Sequence, residues 1–127
     1  MSIPLGFARL FNAKELTLMS LFMLLLYDDQ QIFNRLSPDE MQRAMGKYMA
    51  WRKEPFTLDG RRLADDLGKV LRPGAGAVDG PYSETKEILG GYYTIEAADY
   101  DAAVNLSLTH PHLEYGGTIE LRKVYQP

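Results

Sequence analysis

The run Leu21 to Tyr27 (LFMLLLY) is apolar at every position, which predicts a strand covered on both faces. Asp28-Asp29 ends it. Ser37-Pro38-Asp39-Glu40 has the chemistry of a helix start: Ser37 as N-cap, Pro38 in the first turn, Glu40 three residues on to complete a capping box. Met41, Ala44, Met45, Tyr48 and Met49 then recur at intervals of three and four and predict one apolar stripe, turned to the core, on a helix that ends before Pro55. Asp59-Gly60 signals a turn, with short strands expected at Arg61 to Leu63 and Lys69 to Arg72. Pro73 to Ala77 reads as a flexible connector, and Ala77-Val78 as a shortened strand. Gly91 to Glu96 (GYYTIE) is rich in strand formers. Asp99 is placed to cap a helix through Leu108, with Tyr100, Ala103, Val104 and Leu108 inward and Pro111 just beyond its end. Gly116-Gly117 turns the chain into Thr118 to Arg122, which alternates as a half-exposed strand does.

The order strand, helix, strand, strand, helix, strand gives two similar halves. It predicts an α+β fold of the ferredoxin-like kind, an antiparallel sheet with helices on one face. The 127 residues make one domain the expectation. Residues 1–20 read as an N-terminal extension, with Met19 or Met23 as alternative starts, and residues 21–127 as the domain. Leu16 to Leu26 has the length of a signal-peptide core, but a polar run follows it instead of a cleavage site, so it is read as the buried first strand and no membrane segment is expected.

Charge narrows the partners. The net charge is −3 and the basic residues are scattered, which argues against nucleic acid. With no cysteine there is no disulfide, thiolate metal site or thiol nucleophile, and a cytoplasmic location is the simple expectation. His110 and His112 are the only histidines. H-x-H can chelate a metal, but a third ligand would have to be a carboxylate such as Glu114. The favoured reading has His110 near a helix C-terminus, where the macrodipole suits it, with no metal and no cofactor.

The segment from Asp79 to Tyr93 (DGPYSETKEILGGYY) is the densest candidate for chemistry. Asp79-Gly80-Pro81 makes a tight turn. The Asp79 carboxylate either accepts local backbone N–H groups as an inert cap or faces a pocket as a general base. Glu84, Lys86 and Glu87 are either a solvated charge run or groups reaching a ligand. Gly90-Gly91 allows either close strand packing or a pocket wall with room for a ligand. Trp51, beside the methionine stripe, is a candidate for lining a pocket or a dimer interface.

These segments also carry a resemblance. LLLYDD (Leu24 to Asp29), LSPDEM (Leu36 to Met41), DGPYSETKE (Asp79 to Glu87), GGYYTIEAAD (Gly90 to Asp99) and PHLEYGGTIELR (Pro111 to Arg122) together resemble the DGPF branch of the YCII-related proteins, with Tyr82 where phenylalanine is commoner. The resemblance implies a dimeric α+β barrel, in which two sheets face each other across a two-fold axis, and a small-molecule pocket between sheet and helices. It implies an isomerase or lyase type of chemistry, with Asp79 as general base, Lys86 as electrostatic stabiliser, and Gly80, Pro81, Glu84, Glu87, Gly90, Gly91 and Trp51 around an unidentified ligand. The alternative it implies is a non-catalytic ligand-binding or regulatory partner of extracytoplasmic-function sigma factors. YCII-like relatives use a His-Asp pair, and no histidine lies in the first helix or in the strands before Asp79.

Overall fold

Strand β1 (Ser20–Asp28) lies at the middle of the computed structural model, which describes residues 18–127, so the expectation of a peripheral N-terminal segment falls mostly outside the described residues. Helix α1 (Pro38–Arg52) follows, then β2 (Thr57–Arg62), β3 (Lys69–Arg72), β4 (Gly76–Asp79) and β5 (Ile88–Ala97). Helix α2 (Tyr100–Ser107), the single-turn α3 (Pro111–Glu114) and β6 (Thr118–Lys123) complete the chain. Four strands pair antiparallel in the order β2-β5-β1-β6, the ferredoxin-like arrangement. β3 and β4 form a separate two-stranded hairpin. The segment expected as a connector is therefore the turn of that hairpin. The strand expected at Ala77-Val78 pairs with β3 and not with the main sheet, because Lys69 to Arg72 offers it a partner four residues away across the turn.

Alternation along β1 sends Phe22, Leu24 and Leu26 into the core, where Tyr93, Ile95 and Ala97 of β5 meet them. Leu21, Met23, Leu25 and Tyr27 point to the opposite face and are half-buried. The capping box of α1 is present in both directions: Glu40 N–H donates to Ser37 Oγ at 3.2 Å, and Ser37 N–H donates to the Glu40 carboxylate at 3.1 Å. A cap of this kind contributes about 1 kcal/mol.

Two apolar stripes differ from the expected ones. On α1 the buried residues are Ala44 and Trp51, with Tyr48 packed against the core, while Met41, Met45 and Met49 line a cavity beside it and Met49 is 50% exposed. Two apolar rows run side by side on this helix, and periodicity marks both without saying which one the sheet covers. On α2 the buried residues are Ala103 and Ser107, whereas Tyr100, Val104 and Leu108, expected inward, are exposed.

Candidate active site

His110 and His112 are each 2% exposed. His110 caps α3: its Nδ1 accepts the His112 backbone N–H at 3.0 Å, and Pro111 occupies the first turn. This one-turn helix replaces the simple helix end expected here, so the histidines serve its start and not the macrodipole of α2. With Nδ1 an acceptor, His110 carries its proton on Nε2, which has no hydrogen-bond partner among the described residues. The ring packs instead against Trp51 and Tyr93, at 4.6 Å between centroids in each case.

His112 takes the same tautomer, but with both ring nitrogens bonded. Its Nε2 lies 2.8 Å from the Tyr27 carbonyl oxygen, so Nε2–H donates there. Nδ1 is then an acceptor, and the Tyr48 hydroxyl donates to it at 2.7 Å. Gly117 makes this possible, because a Cβ at that position would stand inside the His112 imidazole. Burial pushes both histidines towards the neutral form. His110 is lowered to about 3, by burial and then by His112. His112 is lowered by burial, against opposing contributions from the Tyr27 carbonyl, Asp28 and Glu87. Burial likewise raises the Tyr48 hydroxyl, with Arg62 acting against it, and the Tyr93 hydroxyl, with Arg52 acting against it.

These shifts set a pH dependence. A histidine lowered on folding binds fewer protons in the native state, so its stabilisation is present above the unfolded value of about 6.5 and is lost as pH falls below it. For His110 the loss runs from about pH 6.5 down to its folded value of about 3. At pH 5 it amounts to about 2 kcal/mol relative to pH 7.5 for this residue alone. Urea unfolding at the two pH values checks this, and His110→Gln should flatten the difference.

The Tyr48–His112 pair stands at one wall of a cavity of about 520 Å³ between α1 and the sheet. Asp28 enters the same cavity from the end of β1. Its Oδ1 accepts the Gln30 N–H at 2.7 Å. Its Oδ2 lies over Gly90, where a Cβ would come within 2.9 Å of it. Arg52 and Arg62 also line the cavity. Arg62 bonds Asp65 at 3.2 Å, and Arg52 approaches Asp59 at 3.8 Å, an ion-pair distance rather than a hydrogen bond.

Of the residues singled out in the sequence, Gly90 and Gly91 line this cavity. Gly90 makes room for the Asp28 carboxylate, and a Cβ on Gly91 would come within 2.8 Å of the Arg61 carbonyl on the neighbouring strand. Asp79 lies at the end of β4 with its side chain 84% exposed and ion-paired to Lys69. Gly80, Glu84 and Lys86 line neither this cavity nor the adjacent one. Pro81 and Glu87 line that adjacent cavity of about 820 Å³, where Glu87 accepts the Thr118 hydroxyl at 2.8 Å. Trp51, expected at a pocket or interface, is in the core, its Nε1–H donating to Thr109 Oγ1 at 3.0 Å. Reading from the sequence missed Asp28, Tyr48 and His112 as a group. The available signal is an aspartate ending a buried strand, which on its own marks only the end of that strand.

Among the described residues no three His, Asp or Glu side chains cluster as metal ligands, and no helix is long and apolar enough to cross a membrane. Residues 20–126 match the model of the YCII-related domain. An uncharacterised protein of Rhizobium meliloti (strain 1021) is 30% identical over 95 residues, 68% of this chain and 77% of that protein.

Proposed function

This chain belongs to the family of YCII-related domains, and on that premise we propose that it is a small-molecule enzyme of isomerase or lyase type, with Asp28 as the proton-transfer base. The carrying observation is the convergence of Asp28, Tyr48 and His112 on one cavity rimmed by Arg52 and Arg62. In the proposed step the Asp28 carboxylate takes a proton from a carbon beside a carbonyl. The C–H electron pair becomes the enolate, and Asp28 becomes a carboxylic acid. Where a carbon–carbon double bond flanks that carbon, returning the proton to the far end of the double bond shifts it into conjugation with the carbonyl and completes an isomerisation. Expulsion of a leaving group with its electron pair from the adjacent carbon completes an elimination instead. The two guanidinium groups favour the negative charge of the enolate in a partly dry site. Tyr48, whose hydrogen is committed to His112 Nδ1, offers the cavity an oxygen lone pair and so accepts from a substrate hydroxyl.

The test is solvent-deuterium incorporation into a panel of hydroxy acids, keto acids and lactones, followed by NMR. The wild-type protein should label at least one of them. Asp28→Asn should lower that rate by about 10²–10⁴-fold. An unchanged rate in Asp28→Asn would remove Asp28 from the chemistry. Saturable binding with no labelling of any ligand would favour a non-catalytic ligand-binding role for the same cavity.

The same reading takes the molecule as a homodimer. The sheet face turned away from the helices carries Leu21, Met23, Leu25 and Tyr27, and a second copy is a natural cover for it. Sedimentation at micromolar concentration should give twice the chain mass of 14.4 kDa. A monomer with an intact circular-dichroism spectrum would contradict this.

A further inference from the structure

The methionine row on α1 stands outside the hydrophobic core cluster. Met41, Met45 and Met49 stand one turn apart along one wall of the cavity, and Met49 is 50% exposed. A row of large apolar side chains left partly open to solvent usually faces something other than water. Methionine gives a polarizable, adaptable wall that makes favourable contacts with aromatic rings. Phe33 adds an aromatic surface to the same cavity, with the Arg62 guanidinium 5.5 Å from its ring centroid. Arg52 and Arg62 line the same cavity; each has one carboxylate within ion-pair distance, Asp59 and Asp65, and further N–H donors for a second partner.

We infer that the cavity takes an aromatic carboxylate, its ring between the methionine row and Phe33 and its carboxylate on Arg52 and Arg62. The guanidinium fork suits a carboxylate because two N–H donors meet two oxygens. The apolar wall and the charged groups lie in one cavity, so a ligand satisfying both carries an apolar body and an anionic group together, and the methionine sulfurs favour an aromatic body. This deepens the reading of the same cavity given above and rests on it for the location of the site, but not for the proton transfer.

Calorimetric titration with 2-naphthoate, 2-naphthylmethylamine and octanoate tests the class. The wild-type protein should bind 2-naphthoate saturably, and the amine and octanoate each at least about tenfold more weakly. The double variant Arg52→Gln, Arg62→Gln should lose about 10–100-fold in naphthoate affinity, the equivalent of one charge-assisted hydrogen bond. Both arginines are partly exposed, and circular dichroism confirms the fold of the variant. Met45→Glu, at a half-buried position, should weaken naphthoate by like charge with the fold retained. No naphthoate binding at millimolar concentration, equal affinity for the amine, equal affinity for octanoate, or wild-type affinity in the arginine double variant would each overturn the inference. Naphthoate binding by a protein that labels no substrate would sink the proton-transfer reading and leave this one standing. Labelling without naphthoate binding would do the reverse.

Discussion

Replacing Trp51 with alanine is expected to destabilise the protein by about 3–5 kcal/mol. Trp51 is 6% exposed and packs edge-on against Phe56 and Tyr93, at 5.1 and 5.3 Å between ring centroids, with His110 beside it. Truncation opens a cavity under α1 and leaves the Thr109 hydroxyl without its donor. For a domain of this size the melting temperature should fall by roughly 10–20 °C. A fall of a degree or two would mean that α1 is held to the sheet by other contacts.

Gly117→Ala is the second large effect. The added methyl would occupy the space of the His112 imidazole, which is held at both nitrogens and has no exposed direction to move. Either the ring leaves and strands the Tyr48 hydroxyl and the Tyr27 carbonyl, or β6 shifts. Overpacking of this kind costs about 1–3 kcal/mol, and an orphaned buried polar group costs a similar amount again. The variant should lose both thermal stability and the downfield Nε2–H signal expected for His112 in a proton NMR spectrum. Retention of that signal with wild-type stability would show that the strand yields freely and that Gly117 does not hold the imidazole in place.

The fold was legible where local chemistry decides. Ser37, Pro38 and Glu40 mark the start of α1, and the apolar run of β1 marks the central strand. Asp99 caps α2 as expected, its carboxylate accepting the Ala102 N–H at 2.8 Å. What was not legible depends on which side of an element the rest of the chain covers. The methionine row and the Ala44, Tyr48 and Trp51 row look equally apolar in the sequence, and only the position of the sheet separates core from cavity wall. His110-Pro111-His112 shows the same limit. Nothing local distinguishes a helix end from a new one-turn helix whose imidazoles run back under α1 to meet Tyr48, 64 positions away from His112 in the chain.

The site was legible only in part, for a related reason. Dense motifs attract attention to loops, and the run from Asp79 to Glu87 is the densest in the chain. Yet its carboxylate at Asp79 is exposed and paired to Lys69 across the hairpin, while Asp28, in an unremarkable pair of aspartates, reaches the cavity between sheet and helix. Gly90 is the link between the two views, since it lies just beyond that run and makes the room that Asp28 occupies.

The proposed proton transfer runs through the Asp28 cavity and not through the Asp79 loop. The direct measurement is the rate of solvent-deuterium incorporation for wild type, Asp28→Asn and Asp79→Asn with one labelled substrate. Asp28→Asn should fall by about 10²–10⁴-fold, and Asp79→Asn should stay within about threefold of wild type, the small change expected for loss of an exposed ion pair. A loss confined to Asp79→Asn would place the chemistry in the signature loop and contradict the account.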